Sequence, residues 1–375
     1  MRVAIDVRYV DGKGSGIGTY SLNLVRTLLE EDPTLEFLLV LRNRQVERLF
    51  QHPRIKTIVF PAPPNSLRTR FMLGRLLAKQ DFDVYHSLFA VAPEGLDRPL
   101  IVTAHDIMWL VNPRFISHNS VHRFFVGAFY RSAFAAAIQK ADRVLAGTEA
   151  TRAAIVDHFP WVAAKTRVTS YAVNEEIIHP LDPAEAWQRL GDIVPRSTPF
   201  VLTVGNNSPH KNHINALRGF LKAFADRPEY RMILIRRFLR RGDNEMAELM
   251  ATEQAKRQVI ALPHVSADVL NALYNSAAML LHPSYYEGFG IPLIEAMSTR
   301  TPVVTSTTSC LPEVAADAAA LVDPADCDAI AAALRRIADD SAYRDGLAER
   351  GDERWRTYTW KRVAQGTLDV YREFQ

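Results

Sequence analysis

Two glutamates in the second half of the chain are separated by seven residues that include a glycine-rich turn. Glu287 precedes the turn, and Glu295 lies about one turn inside the helix predicted to follow it. Gly288 and Gly290 allow the backbone to turn sharply and a ligand to come close. Pro292 suits the first position of that helix, whose free N–H groups and dipole form a site for an anion. A phosphate between two carboxylates indicates a phosphorylated ligand rich in hydroxyl groups, such as a nucleotide sugar.

Taken alone, this pattern also fits an ordinary loop and a glutamate that interacts only with the helix dipole. Its surroundings are more specific. The run E-G-F-G-I-P-L-I-E-A-M begins at Glu287 and is followed by T-P-V-V-T-S from Thr301 and by L-P-E-V from Leu311. Together these segments resemble the donor-site signature of the retaining glycosyltransferases of family 4. The resemblance implies the GT-B fold and transfer of a sugar from a nucleotide diphosphate to an acceptor hydroxyl.

The resemblance also implies a role for each residue of the signature. Glu287 would hold hydroxyl groups of the donor sugar, and Glu295 would hold the ribose. Backbone groups of the turn and of the first helical turn would contact the sugar and the leaving diphosphate. These residues are Gly288, Phe289, Gly290, Ile291, Pro292 and Leu293.

A second phosphate-binding element is expected where the second domain begins. The strand predicted at Pro199–Gly205 is followed by Asn206 and Lys211. Family members usually have an arginine directly after this glycine and a lysine at the start of the next helix, so Asn206 replaces the arginine and Lys211 keeps the lysine. Arg237 is the one nearby cation that could substitute for the missing arginine, although the pattern favours a solvated arginine in the basic run Arg236–Arg241. The nucleotide base would be held by backbone groups near Val265.

The first half of the chain supplies two further site residues. Gly16 lies in a glycine-rich loop between a strand and a helix, which is typical of a phosphate-binding loop. A dinucleotide fingerprint is disfavoured, because Thr19 stands at its third glycine and Arg42 at the end of the next strand. The resemblance implies that this loop reaches the donor diphosphate and the acceptor. His105 follows a strand, where ligands bind in open α/β sheets, and matches the family's His-Asp element, whose histidine faces the transferred sugar.

Strand-like and helical runs alternate along the chain, which predicts an α/β fold with parallel sheets covered on both faces. A length of 375 residues suits two domains. The resemblance implies two Rossmann-like domains facing across a cleft. We expect an N-terminal acceptor domain at residues 1–180, a nucleotide-sugar domain at 181–358, and a C-terminal helix at 359–375 that crosses back to the first domain.

Composition excludes several classes of function. A net charge of +3 does not suggest a nucleic-acid partner. Cys310 and Cys327 form neither a disulfide framework nor a metal pattern, which fits a reducing cytosol. The motif D-x-D at Asp81 and Asp83 binds metals in other transferases, but here it precedes an apolar run and is predicted to be a surface cap. We therefore expect no metal and no cofactor, and a cytoplasmic protein.

Two stretches, Leu67–Lys79 and His118–Lys140, mix basic and apolar residues. Such stretches fit either an anionic membrane surface or solvated helices with a core-facing side. The first alternative would place the protein on the inner face of the cytoplasmic membrane and favours a lipid-linked acceptor over a soluble saccharide. One departure from the family concerns its Pro-Asn-Gly-Val element, which is replaced here by Ser170–Asn174.

Two other functions fit the same fold. A nucleotide-sugar 2-epimerase would turn over the donor without an acceptor. A non-catalytic binding protein would have lost Glu287 or Lys211, and the presence of both counts against it. No residue stands out as a nucleophile, which fits front-face attack in which the leaving phosphate takes the acceptor proton. The donor we expect is GDP-mannose.

Overall fold

The computed structural model describes residues 1–10, 16–112, 115, 120–236 and 244–375. Over these residues the chain forms two compact units. The first contains Met1–Val111, Phe124–Tyr171 and Thr359–Gln375, and the second contains Asn112–Arg123 and Ala172–Tyr358. Before the C-terminal segment, the chain leaves the first unit after Tyr171, whereas the sequence predicted the boundary at residue 180, and Asn112–Arg123 belongs to the second unit.

The first unit is built on a seven-stranded sheet with the strand order β3-β2-β1-β4-β5-β6-β7. All neighbouring strands are parallel. Most of its strands are nearly continuous buried runs, because helices cover both faces of a parallel sheet. The strands are β1 (Arg2–Asp6), β2 (Glu36–Leu41), β3 (Ile55–Val59), β4 (Val84–Ser87), β5 (Leu100–Ala104), β6 (Arg143–Ala146) and β7 (Thr166–Val168).

Helices alternate with these strands. They are α1 (Gly16–Glu31), α2 (Leu67–Leu77), α3 (Met108–Val111), α4 (Ser120–Lys140), α5 (Glu149–His158) and, from the end of the chain, α15 (Trp360–Arg372). Two 3₁₀ helices lie at Arg44–Phe50 and Pro160–Lys165. None of the described helices is both long enough and apolar enough to cross a bilayer.

The second unit is built on a six-stranded parallel sheet with the order β10-β9-β8-β11-β12-β13. Its strands are β8 (Phe200–Val204), β9 (Arg231–Ile235), β10 (Val259–Leu262), β11 (Met279–His282), β12 (Val303–Ser306) and β13 (Ala319–Val322). Its helices are α6 (Pro183–Leu190), α7 (His213–Ala223), α8 (Asn244–Met250), α9 (Glu253–Gln258), α10 (Ala267–Ser276), α11 (Ile291–Ser298), α12 (Leu311–Ala315), α13 (Cys327–Asp339) and α14 (Ser341–Trp355).

Both sheets have the same strand connectivity. In each, the chain starts at a central strand, runs outward to one edge, and then returns to the other side of the starting strand. The reversal lies between β1 and β4 in the first sheet and between β8 and β11 in the second. Ligands of open α/β sheets bind outside the carboxyl ends of the strands at such a reversal, so each unit has one topologically favoured site.

The last helix belongs to the first unit, as predicted. α15 packs on α1, and its fully buried Tyr371 places a hydroxyl 2.7 Å from Nδ1 of His86 on β4. Arg143 at the start of β6 forms an ion pair with Glu373, directly after the helix. Contacts to two strands therefore hold the C-terminus on the first sheet, which confirms that the chain crosses back.

Candidate active site

The reversal between β8 and β11 brings together residues that are far apart in the sequence. Lys211 ends a 3₁₀ turn that follows β8, and Glu287 follows β11 at the entry to α11. Lys211 Nζ lies 2.6 Å from Glu287 Oε1, with 15% and 11% of the two side chains exposed. The two residues thus form a nearly buried ion pair at the topologically favoured edge.

A histidine completes this pair. His282, the last residue of β11, is buried and has Nε2 3.0 Å from Glu287 Oε1. Burial alone would raise the pKa of Glu287, but the Lys211 ammonium and the His282 hydrogen bond outweigh burial and hold that pKa well below its usual range. Glu287 is therefore an ionised carboxylate.

The backbone of Glu287 is hydrogen-bonded to Ser309, in the loop between β12 and α12. Its N–H donates to Ser309 Oγ over 3.2 Å, and its carbonyl accepts from the same hydroxyl over 2.5 Å. Gly290 then turns the chain with a φ of 94°, a conformation that favours glycine. A Cβ atom there would lie 2.6 Å from Leu311 Cδ2. The glycine is therefore required both by the backbone and by close packing.

The first turn of α11 offers fewer N–H donors to an anion than the sequence predicted. The helix begins at Ile291, so Pro292 is its second residue rather than its first. Proline has no N–H, and the N–H of Leu293 donates to Gly290 O over 2.9 Å. Among the first three residues of α11, only Ile291 has an N–H without an acceptor among the described residues. The helix dipole adds to that single donor.

Glu295, one turn further along α11, lies in a different environment. Tyr274 on α10 donates its hydroxyl to Glu295 Oε2 over 2.7 Å. Burial raises the pKa of Glu295, and this hydrogen bond acts in the opposite direction. The two glutamates of the signature therefore differ in charge tendency, with Glu287 the stronger acid.

The loop after β8 uses Asn206 structurally. Asn206 Oδ1 accepts from the Ser208 N–H over 3.0 Å, and its carbonyl accepts from His213 Nε2 over 2.9 Å. Burial lowers the pKa of His213 to about 3, so this ring is neutral. Arg236, directly after β9, is buried and donates to Asn207. Arg236 therefore stands beside the loop, a position that its place in the basic run did not predict, and the predicted Arg237 lies outside the described residues.

Comparison with known proteins identifies the family of the chain. Residues 14–177 match the model of Glycosyltransferase Family 4, and residues 193–354 match the model of glycosyl transferases group 1. The chain belongs to glycosyltransferase family 4.

Its relatives support the same assignment. O-antigen chain mannosyltransferase B of Escherichia coli is 27% identical over 96% of both chains. Among solved structures, sucrose-phosphate synthase from Thermosynechococcus elongatus has a TM-score of 0.74 and 20% identity, covering 100% of this chain and 98% of that one. Anabaena HepE in complex with UDP and glucose has a TM-score of 0.73 and 18% identity, covering 100% of both. The protein is a hexosyltransferase with the GT-B fold.

In this family 4 glycosyltransferase, His105 lies in the first unit and both of its ring nitrogens are engaged. Nε2 lies 2.9 Å from Leu88 O, and Nδ1 contacts the hydroxyl of Tyr171. Burial lowers the pKa of His105 to about 4, so the ring is neutral, with Nε2–H donating to the carbonyl and Nδ1 accepting from Tyr171. Tyr171 stands in the segment that replaces the family's Pro-Asn-Gly-Val element. The contact of His105 with the sugar stays a prediction.

Two other predicted site residues lie at chain connections of the glycosyltransferase. Gly16 is the first residue of α1, and a Cβ atom there would meet nothing within 4 Å; residues 11–15 before it lie outside the described residues. Val265 lies between β10 and α10, on the carboxyl side of the second sheet. Their predicted contacts with the donor stay predictions.

The D-x-D motif of the enzyme lies at the other end of β4, before the strand begins. Asp81 Oδ2 accepts from Arg2 NH1 over 2.6 Å, and Asp83 Oδ2 accepts from the Arg2 backbone N–H over 2.7 Å. Both aspartates thus tie β4 to the start of β1. In the described ranges no three His, Cys, Asp or Glu side chains are grouped so that they could hold a metal ion.

Proposed function

We propose that this enzyme transfers a mannosyl group, with retention of configuration, from GDP-mannose to a hydroxyl of a saccharide or lipid-linked acceptor during glycan assembly. The observation that carries the proposal is the ionised Glu287 carboxylate, paired with Lys211 at the reversal of the second sheet. The O-antigen mannosyltransferase relative favours mannose. A solved structural neighbour in complex with UDP and glucose supports a nucleotide-sugar donor and makes UDP-glucose the second donor to test.

The site residues would divide the work as follows. A carboxylate accepts hydrogen bonds, so Glu287 would orient hydroxyl groups of the donor sugar. Lys211 has three N–H donors, one of which reaches Glu287, and the others would stabilise the leaving diphosphate. Ile291 N–H and the α11 dipole would add to this electrostatic stabilisation. Glu295 would hold the ribose.

The bond changes need no enzyme nucleophile. The acceptor oxygen bonds to the anomeric carbon on the face from which the diphosphate leaves, while the carbon–oxygen bond to phosphate breaks. The departing phosphate oxygen takes the acceptor proton, so charge and atoms balance. We propose that neither a metal nor another cofactor takes part, with the nucleotide sugar serving as a co-substrate.

Glu287→Ala tests this assignment. We expect sugar transfer to fall by at least about 10², because an oriented contact at the reacting sugar is lost, while GDP binding measured by calorimetry is retained. Turnover of GDP-mannose without an acceptor would instead support the 2-epimerase alternative. Nucleotide-sugar binding by the wild type without any turnover would support the binding-protein alternative. Wild-type transfer by Glu287→Ala would refute the assigned role.

We further propose that the acceptor is lipid-linked and is met at the inner face of the cytoplasmic membrane. On α2, Leu67, Phe71 and Met72 are 58%, 50% and 45% exposed, beside the exposed Arg68 and Arg75. Apolar side chains among basic ones suit an anionic lipid surface. The second basic and apolar stretch, His118–Lys140, fits this less well, since Tyr130 and Phe134 of α4 are buried. Residues 118 and 119, and the side chains of residues 120–126, lie outside the described part.

A vesicle experiment tests the membrane proposal. We expect the protein to sediment with phosphatidylglycerol-containing vesicles at low salt and to be released as salt screens the charges. Phe71→Ser combined with Met72→Ser should abolish sedimentation. Trp161→Ser, which removes a 63% exposed aromatic residue outside α2, should leave it unchanged. Absence of binding at low salt would favour a soluble saccharide acceptor.

A further inference from the structure

His282 has no role in the chemistry described so far, yet it contacts the central carboxylate. It ends β11, is 2% exposed, and places Nε2 3.0 Å from Glu287 Oε1 and 3.2 Å from Ser284 Oγ. Its sequence position gave no signal, because a histidine at the end of an apolar run is usually only a core residue. Four residues lie between it and its partner, in a turn whose shape only the structure supplies.

The contact determines which ring nitrogen carries the proton. An ionised carboxylate can only accept hydrogen bonds, so Nε2 must donate to Glu287 Oε1. Burial lowers the pKa of His282 although the carboxylate opposes this, so the ring is neutral at pH 7 and Nε2 holds its single N–H. Ser284 Oγ then acts as a second acceptor for the same N–H.

The two oxygens of Glu287 are used unequally. Oε1 accepts from both Lys211 Nζ, over 2.6 Å, and His282 Nε2, over 3.0 Å. Within the described part of the chain, Oε2 accepts no hydrogen bond. A carboxylate has lone pairs on both oxygens, and each oxygen can accept a hydrogen bond. Oε2 is therefore the oxygen that would accept from a ligand hydroxyl.

We propose that His282 is a positioning residue, which fixes Glu287 Oε1 so that Oε2 faces a hydroxyl group of the donor sugar. This inference rests on the proposed function. Lys211 cannot hold this orientation alone, since a lysine side chain is a flexible stem ending in a rotatable point charge. The imidazole is rigid, and its backbone is fixed by β11, with Thr305 Oγ1 donating to the His282 carbonyl over 2.9 Å. The consequence is selectivity for the sugar-bearing nucleotide over the free nucleotide.

Two matched variants isolate this role. In His282→Gln the amide N–H₂ can reach the place of Nε2, whereas in His282→Asn it falls short. The dissociation constants of GDP-mannose and GDP, measured by calorimetry, give the contribution of the sugar as a ratio. We expect His282→Asn to weaken GDP-mannose binding by about 10-fold or more, on the scale of a charge-assisted hydrogen bond, and to leave GDP binding within about twofold. His282→Gln should recover most of the lost ratio.

Other outcomes would overturn the inference. An equal loss of GDP and GDP-mannose binding in His282→Asn would show a purely structural role, and unchanged affinities for both nucleotides would show that the histidine does not orient Glu287. Should the Asn variant not fold, nitrogen NMR of the wild type decides: the Nε2–H tautomer supports the inference and the Nδ1–H tautomer refutes it. A wild type that binds neither GDP-mannose nor UDP-glucose would refute the proposed function and this inference with it.

Discussion

An ion pair lies at the carboxyl edge of each sheet, and the two pairs differ in how completely their carboxylates are hydrogen-bonded. In the first unit, Asp6 at the end of β1 pairs with Arg8 at 2.6 Å, with 5% and 0% of the two side chains exposed. In the second unit, Glu287 pairs with Lys211 at the same distance, with 11% and 15% exposed. Both pairs lie at the reversal of strand order, where a ligand is expected. Location and pairing alone therefore do not distinguish them.

The difference lies in how completely each carboxylate is hydrogen-bonded. Asp6 Oδ1 accepts from Arg8 Nε over 2.8 Å, and Oδ2 accepts from both Arg8 NH2 and the Tyr85 hydroxyl. Arg8 also donates to Ala62 O and Thr69 Oγ1. At the second edge, both donors meet on one oxygen of Glu287. The first pair is saturated and structural, whereas in the second no donor among the described residues reaches Glu287 Oε2.

The largest expected effect is on the saturated pair. Arg8→Met should lower the free energy of unfolding by about 3–5 kcal/mol, because it leaves the buried Asp6 carboxylate without its cation. Arg2→Met is the matched control: its partners Glu36 and Asp81 are 48% and 89% exposed, and solvent screens such ion pairs, so we expect a much smaller loss of stability. Denaturant unfolding measures both. Equal losses in the two variants would show that Arg8 is not a structural cation.

The next effect is on the unsaturated pair. Lys211→Ala should reduce turnover by about 10²–10³, or ~3–4 kcal/mol, since a preorganised donor is removed from the developing charge, with a smaller loss of stability than Arg8→Met. Steady-state rates and denaturant unfolding separate the two quantities.

Two arginines serve as comparison for Lys211. Arg236→Ala tests the buried cation beside the loop, and Arg237→Ala tests the one expected from the sequence. Near-normal turnover in Lys211→Ala with loss in either arginine variant would move the diphosphate contact to that arginine. Full activity in all three variants would leave the backbone as the phosphate site.

A smaller effect is expected on how the stability of the first unit depends on pH, through His86 on β4. Burial lowers the pKa of His86 to about 3, so the unfolded chain binds a proton below pH 6.5 that the folded chain does not. The free energy of unfolding should therefore fall as the pH decreases from about 6.5 towards 3, by up to ~1.4 kcal/mol per pH unit for this group. His86→Gln should be less stable at pH 7 and show a shallower dependence. An unchanged slope would contradict a neutral, buried His86.

The smallest expected effect is that of metal removal on transfer activity. It distinguishes the proposed mechanism from that of a metal-dependent transferase. Transfer should be unchanged by excess EDTA, because the leaving diphosphate is assigned to Lys211 and the start of α11. Asp81→Ala combined with Asp83→Ala should also keep turnover, since both carboxylates bind Arg2. Loss of activity restored by magnesium or manganese would show that the assignment is wrong.

The sequence alone determined the fold class and the local geometry of the E-x7-E segment. Buried apolar runs alternating with helical ones require parallel sheets covered on both faces. The shape of the E-x7-E segment follows from its own residues. A glycine can adopt the positive φ of the turn, and a proline in the first helical turn favours the start of a helix there. These features could be predicted because each depends on residues within about ten positions of one another in the chain.

Only the tertiary structure decided which lone pairs are occupied. Glu287 meets Lys211 because β8 and β11 are neighbours in the sheet, although the two residues are far apart in sequence. In the same way, His105 after β5 hydrogen-bonds Tyr171 after β7, and Arg236 after β9 donates to Asn207 in the loop after β8. A hydrogen bond depends on tenths of an ångström and on direction, and strand packing sets both. Residue types identified the acceptors, but only the folded chain determined that Glu287 Oε2 has no donor within the described part of the chain.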